Sequence, residues 1–439
     1  MRRRPVLLTA LSASLLVAGC GGGPLAPPGA TFGPDPKLVA PHRNLIAPTV
    51  NIAPAVGWPE GRKPTALEGF VVQAFASDLD HPRWLYRLPN GDILVAETNA
   101  PPKPEGKSGG LRGWVMGLVM KRAGAAPASA NRITLLRDAD GDGAAEVRTA
   151  FLENLFSPFG MALVGDRLYV ANADSVVSFP YQTGQTRITA TATPVAALPA
   201  GRNHHWTKSL VASSDGTRLY VGVGSNSNIA EHGLDEEVGR AAIHEIDIAT
   251  ATTRIFASGL RNPVGMAWQP DSGALWVAVN ERDELGNDLV PDYMTSVRDG
   301  GFYGWPWSYY GQVVDSRVTP QSPERVATAL SPDYALGAHT ASLGLTFYDG
   351  AAFPAGYTGG AFVGQHGSWN RSPRSGYKVI FVPFADGKPS GPPRDFLTGF
   401  LTEDGEAMGR PVGVQVDGTG ALLVADDVGN VIWRVALAR

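Results

Sequence analysis

Apolar and polar residues alternate in short runs along this 439-residue chain, and the runs come in pairs separated by Gly, Asp or Asn. Such alternation predicts half-buried β-strands joined as hairpins, and no long stretch carries the spacing of a helix. The paired runs recur. His81-Pro82-Arg83-Trp84 leads to Asn90-Gly91-Asp92-Ile93-Leu94-Val95-Ala96-Glu97, and Ser157-Pro158-Phe159-Gly160-Met161 leads to Gly165-Asp166-Arg167-Leu168-Tyr169-Val170-Ala171-Asn172. His204-His205-Trp206 precedes Asp215-Gly216-Thr217-Arg218-Leu219-Tyr220-Val221-Gly222, and Asn262-Pro263-Val264-Gly265-Met266 precedes Asp271-Ser272-Gly273-Ala274-Leu275-Trp276-Val277. A degenerate fifth copy runs from His339-Thr340-Ala341-Ser342-Leu343-Gly344 to Gly359-Gly360-Ala361-Phe362-Val363-Gly364. The sixth joins Arg410-Pro411-Val412-Gly413-Val414 to Gly418-Thr419-Gly420-Ala421-Leu422-Leu423-Val424-Ala425-Asp426.

Six units spaced by about 45 to 80 residues predict an all-β fold, a six-bladed β-propeller with four-stranded blades and loop insertions, over residues 67–439. A pair of β-sandwiches is the alternative, but it does not require the same hairpin in each unit. In a propeller the residues just before each inner strand converge on the central channel. Here those residues include His204, His205, Arg261, Asn262, His339 and Arg410, which together predict an anion-binding pocket with a base.

Composition agrees with a loop-rich but core-forming chain: 53 Gly and 35 Pro accompany a hydrophobic fraction of 44%. The net charge is −4 and the 37 basic residues are dispersed, which argues against a nucleic-acid partner. A single cysteine, Cys20, excludes an internal disulfide and a thiolate zinc site. It has another use. Met1-Arg2-Arg3-Arg4, the apolar run Val6 to Ala18 and Leu16-Val17-Ala18-Gly19-Cys20 predict a signal peptide over 1–19, and the last five residues resemble a bacterial lipobox. That resemblance implies a lipid anchor through Cys20 and a place in the cell envelope, on the periplasmic or extracellular side. Residues 20–66 hold a Pro-rich stretch, with ten prolines between positions 21 and 64, and are expected to form an extended tether. Leu45-Ile46 and Val50-Asn51-Ile52 are apolar enough to pack on the folded body.

The hairpin order, taken with His204-His205-Trp206-Thr207-Lys208-Ser209-Leu210-Val211, Arg261-Asn262-Pro263-Val264-Gly265 and Phe302-Tyr303-Gly304-Trp305-Pro306, resembles the soluble quinoprotein sugar dehydrogenases. The sorbosone dehydrogenase-like and aldose sugar dehydrogenase branches are the most similar, over about Leu67 to Arg439. The resemblance implies a propeller that binds pyrroloquinoline quinone (PQQ) and Ca²⁺ and oxidises a sugar at its anomeric hydroxyl or hydrated aldehyde. His205 occupies the family's catalytic position, where an imidazole takes the hydroxyl proton as hydride leaves carbon. His204 stands where relatives often carry an orienting Asp. Arg410 matches a cofactor-binding Arg, and Arg371 falls about where relatives place a Lys. Asn228 lies in the loop where relatives use Arg-Asn, with the Arg missing. Arg261, Asn262 and His339 complete the expected cofactor set, although Arg371, Arg410 and Arg261 could instead form structural ion pairs. Electrons are expected to pass to a membrane quinone or a cytochrome.

Calcium has two candidate places. The resemblance puts backbone carbonyls of Glu281 and Arg282 on the cofactor's Ca²⁺, with Asp283, Glu284, Asp288 and Asp292 nearby. Separately, Asp138, Asp140 and Asp142, with Gly143 in sixth place, match the start of an EF-hand loop, but the twelfth position is Thr149 and Glu146 is ninth. A Ca²⁺ loop between strands and a plain Asp/Gly turn both remain open. The apolar insertion Leu111 to Met120 fits neither a bilayer span nor a blade strand. Two rival functions share such a scaffold: a Ca²⁺-dependent sugar lactonase and a non-catalytic binding module.

Overall fold

The computed structural model describes residues 25–43, 49–103, 122–124 and 128–438. The signal segment, Cys20 and the apolar insertion at 111–120 lie outside the described residues.

Six four-stranded antiparallel units are arranged as the blades of a propeller. Their innermost strands are Pro82–Arg87, Met161–Val164, Leu210–Ala212, Pro263–Trp268, Ser342–Phe347 and Pro411–Val416, and they define blades 1 to 6 in chain order. Blade 6 is completed by a strand from the other end of the chain. Phe70–Ala76 pairs antiparallel with Val431–Leu437, with Val72 opposite Val435, so the ring closes by hydrogen bonds between its two ends. The six repeats therefore form one body.

The recurring Pro-x-Gly has a packing reason. At Gly265, Gly344 and Gly413 an added Cβ would strike the backbone of the next blade's inner strand, near Leu345, Val412 and Arg83 respectively. Glycine lets neighbouring strands approach at the narrow axis. The preceding residues, Val264, Leu343 and Val412, join Trp84, Phe159 and Trp206 in one buried apolar cluster, with a contribution from every blade or its lead-in. The channel below its mouth is therefore filled by side chains.

The polar residue that ends the hairpin motif is structural as well. Glu97 accepts from the Asp80 backbone N–H, and Asp426 accepts from that of Arg410 at 2.7 Å. Each carboxylate pins the lead-in of its own blade's inner strand. Burial pushes Asp426 up to about 6, while Trp58 and Trp433 donate their indole N–H groups to it.

The Pro-rich segment, expected as a tether over 20–66, runs along the propeller wherever it is described. Phe32–Gly33 adds a fifth strand to blade 4 and Thr65–Ala66 a fifth strand to blade 5. Between them the Asn51 N–H donates to the Trp369 carbonyl, and Ala53 is fully buried in the core between blades 5 and 6. Proline removes donors and fixes φ, but the segment retains enough apolar residues and free N–H groups to dock.

Candidate active site

The lead-ins to the inner strands and the loops after the second strand of each blade meet at one mouth of the channel. His205 sits on the lead-in of blade 3, and Ser225 on that blade's second loop. His205 Nδ1 lies 2.9 Å from the Ser225 carbonyl oxygen and 3.0 Å from its hydroxyl. A carbonyl can only accept, so Nδ1 carries the hydrogen and Nε2 keeps its lone pair. Burial, then Arg261, His204 and Arg240, hold the ring's pKa well below its usual value, so it is neutral at pH 7. The orienting group expected from a neighbouring acid is thus supplied by Ser225, and His204 only stacks edge-on against His205, with centroids 4.7 Å apart.

The loop is clamped from beneath. Lys208, fully buried, donates to the Trp206 carbonyl, and Arg240 donates to both the Asn203 side chain and the Gly224 carbonyl. Both segments that position His205 are held by these two side chains.

Four of the residues expected to hold a cofactor instead converge on the loop at 280–288 after the second strand of blade 4. Arg261 donates to the Glu281 carbonyl at 2.7 Å and to Asn228 Oδ1 at 2.9 Å, and lies 3.3 Å from Asp283. His339 places Nδ1 3.5 Å from Asp283 and Nε2 2.8 Å from the Gly286 carbonyl, so both of its nitrogens are engaged. Burial opposes charge on His339, but Asp283 and Gly286 outweigh it and raise its pKa. Asn370 donates to Asp283 at 2.8 Å. Burial alone would lift the Asp283 carboxyl, yet His339, Arg261 and Asn370 bring it down to about 2. Arg371 pairs with Asp288 at 2.6 Å and donates to the Asn287 carbonyl. Asn228 likewise serves as a bridge, between Arg261 and the Asp283 backbone N–H.

Arg410 behaves differently. It is buried, stacks over Tyr377 at 4.9 Å, donates to the carbonyls of Ala53 and His366, and leaves its Nε unpartnered. Among the described residues no carboxylate neutralises it. Asn262 also leaves its Oδ1 unpartnered and buried, beside the His205 Cβ over Gly224.

The expected metal positions divide in the same way. Arg282 is fully buried, its guanidinium tied to Glu281 and Asp315, while the Glu281 carbonyl is occupied by Arg261. The Glu281 carbonyl thus has one lone pair engaged by Arg261 and a second left for a cation. On the hairpin between the outer strands of blade 1, Asp138, Asp140, Asp142 and Glu146 bring one oxygen each within 4.8 Å of one another. Their carboxylates also accept the loop's own N–H groups, as an Asp/Gly turn does.

One cluster was not anticipated. Asp427, on the second loop of blade 6, meets Arg83 at 2.6 Å, His366 at 3.0 Å and His81 at 3.5 Å. These come from blades 6, 1 and 5. A usable signal was present: Arg83 stands where blades 4, 5 and 6 carry Val264, Leu343 and Val412.

A family model described as TrAA12-like matches residues 129–295 and 316–437. The PQQ-dependent pyranose dehydrogenase of Coprinopsis cinerea is 26% identical over 264 residues, covering 50% of this chain and 35% of that enzyme, so the match spans about a third of its length. The PQQ domain of Coprinopsis cinerea pyranose dehydrogenase, in its holo form, superposes with a TM-score of 0.66 at 21% identity, over 88% of this chain and 100% of that one. A Trichoderma reesei carbohydrate-active enzyme of family AA12 gives 0.68 at 19% identity, over 89% and 100%. These two superpositions establish the six-bladed fold.

Proposed function

This chain belongs to the TrAA12-like family, and from that premise we propose that it is a quinoprotein dehydrogenase that oxidises a sugar with PQQ and Ca²⁺. The Coprinopsis cinerea pyranose dehydrogenase that it resembles supports the substrate class and the cofactor. The observation that carries the reading is the pairing, at one channel mouth, of a neutral imidazole whose Nε2 is free with a buried guanidinium that no carboxylate neutralises. PQQ is a tricarboxylate, and Arg410, with its buried and unpartnered Nε, is suited to a carboxylate. Asn262 offers a further unpaired acceptor.

When bound, PQQ supplies the two-electron acceptor chemistry. The chain's residues do the rest. His205 accepts the substrate's hydroxyl proton at Nε2, and its Nδ1–H donates to Ser225 throughout, which fixes the ring plane. Burial, reinforced by Arg261 and Arg240, keeps His205 unprotonated before reaction. Arg410 anchors the anion, and the apolar plug of Trp84, Phe159 and Trp206 closes the channel beneath to water. The carbonyls of Glu281 and Arg282 are the places offered to Ca²⁺. The lipobox-like segment ending at Cys20 supports anchoring in the cell envelope, with a quinone or cytochrome receiving the electrons. Sorbosone-type aldehydes and aldoses both remain within this substrate class.

A lactonase would need carboxylate and Asn side chains around one metal on the axis. Among the described residues, the group of acidic and His side chains close enough for that is the Asp138 turn, away from the axis. The test is reconstitution. Apo protein titrated with PQQ and Ca²⁺ is expected to bind the quinone and then reduce a dye with an aldose. His205→Ala should retain PQQ but lose about 10²- to 10⁴-fold in turnover. Absence of PQQ binding by the wild-type protein rejects the reading.

A further inference from the structure

We propose that His366, held by Asp427, is a second proton carrier of the channel mouth, working across the axis from His205. The proposal rests on the dehydrogenase reading.

The cluster is built on the axis. In the register of the inner strands, Arg83 replaces the apolar residue that packs in the central plug in blades 4 to 6. Its guanidinium reaches from blade 1 to within 5.7 Å of the Trp206 ring, which belongs to blade 3. An apolar side chain would fill that space at lower desolvation cost, so a buried Arg–Asp pair there marks a role other than packing. The carboxylate it supports is almost wholly buried, with 1% of its side-chain surface exposed, whereas 21% of the His366 side chain is open.

The geometry fixes the imidazole's working edge. His366 Nε2 lies 3.1 and 3.0 Å from the two oxygens of Asp427. Asp427 is ionised, because His366, His81 and Arg83 together outweigh its burial and hold it far below the usual carboxylate range. An ionised carboxylate only accepts, so Nε2 bears the hydrogen and the neutral ring presents its lone pair at Nδ1. No described residue bonds Nδ1. The charged and titratable groups facing this ring are Asp427, Arg83 and Arg410, with His81 on the far side of the shared carboxylate. Burial, then the two arginines, disfavours a resting imidazolium, and Asp427 pulls the other way when a proton arrives. A metal does not explain the cluster, since its two imidazoles and carboxylate do not fall within one coordination sphere and Arg83 already occupies the carboxylate.

The reaction supplies a second proton. Converting CH–OH to C=O releases two electrons and two protons. One proton leaves the hydroxyl for His205 as the C–H bond breaks and its electron pair passes to the quinone as hydride. The hydride's own proton must leave after both electrons have gone on to the external acceptor, itself a quinone or a haem protein. His205 has one free nitrogen and can hold one proton. In a ring of six, blade 3 lies opposite blade 6, which carries Asp427, and His366 reaches that carboxylate from the neighbouring blade 5. The pair stands on the side that His205 does not serve, and Nδ1 of His366 takes the second.

Two measurements on the full chain test this. In ¹⁵N-histidine-labelled protein without cofactor, His366 should show the Nε2–H tautomer, and Asp427→Asn should abolish that preference; an Nδ1–H tautomer in the wild type overturns the proposal. In PQQ-loaded protein, His366→Gln keeps a donor to Asp427 but carries no titratable nitrogen. It should slow reoxidation by the external acceptor at least about tenfold more than it slows sugar-driven reduction, with the pH dependence of reoxidation lost. Reoxidation unchanged in rate and pH profile refutes the role of His366 and leaves the dehydrogenase reading intact. If wild type binds no PQQ, both fall. Should Asp427→Asn fail to fold, His366→Gln alone decides.

Discussion

Two clusters of the same residue types flank one channel mouth and differ in what they leave unmade. Around Asp283, Arg261, His339 and Asn370 donate to one carboxylate, Asn228 and Arg371 brace the same loop, and little donor capacity is left over. Around Asp427, the cations and imidazoles outnumber the single carboxylate, Arg410 stays unneutralised, and one imidazole is partly open. The first arrangement sets the shape of a loop. The second retains the unmet hydrogen-bonding capacity that a ligand can use. Presence of Arg and His near an axis is therefore a poorer guide to chemistry than whether their partners are already present.

The comparison can be broken most severely at Asp283. Asp283→Asn leaves a protonated His339 and Arg261 facing each other without a counter-charge, and should lower stability by about 3–5 kcal/mol, read as a fall in the thermal midpoint. Unchanged stability would mean that the cluster is not structural. Arg410→Met, on the other side, should weaken PQQ binding by about ten- to a hundredfold with little effect on the thermal midpoint, the value of one or two charge-assisted hydrogen bonds. Equal affinity in calorimetry would remove Arg410 from the anion site.

A pH series sharpens the contrast. Burial, with Arg410 and Arg83, brings His366 down to about 4 against the pull of Asp427. Below the ordinary value of 6.5 the unfolded chain binds a proton that the folded one refuses, so His366 costs stability progressively from pH 6.5 to about 4. His366→Gln should remove that loss and gain on the order of 2 kcal/mol relative to wild type at pH 4.5, by denaturant titration, with no difference at pH 8. His339 acts with opposite sign: its raised pKa means that protonation favours the folded state, and the benefit fades as pH rises through the folded value. The smallest effect is expected at Arg371. Arg371→Met should leave PQQ affinity within about threefold of wild type while lowering the thermal midpoint, since its guanidinium serves Asp288.

The fold was largely legible. Each hairpin, its turn and its lead-in could be read from alternation and from Gly and Asp placement, because strand periodicity is local and repeats six times. The docking of the Pro-rich segment was not, since nothing in a Pro-rich composition shows that Phe32 and Thr65 lie beside free blade edges. For the site, the lead-in positions of His205 and Arg410 were legible, and the structure sets His205 against Ser225 and leaves Arg410 without a carboxylate among the described residues. Asn228, His339 and Arg371 were identified as residues that could bind, but their partners lie 53 to 84 positions away in the chain. Asp427 and His366 look ordinary in their own repeats, and only Arg83, standing where blades 4 to 6 carry apolar residues, marked the cluster.

By itself, the sequence determined the repeat, the number of blades, the glycines that let inner strands meet, and a mouth rich in Arg and His. Only the tertiary structure decided which cation meets which carboxylate. The reason is physical: alternation and turn chemistry act over a few residues and are written locally, whereas hydrogen-bond and charge saturation depend on groups from different blades arriving at the same few ångströms. Arg371 and Arg410 are the same residue type, both near the channel mouth, and only the blade packing gives one an acid and denies it to the other.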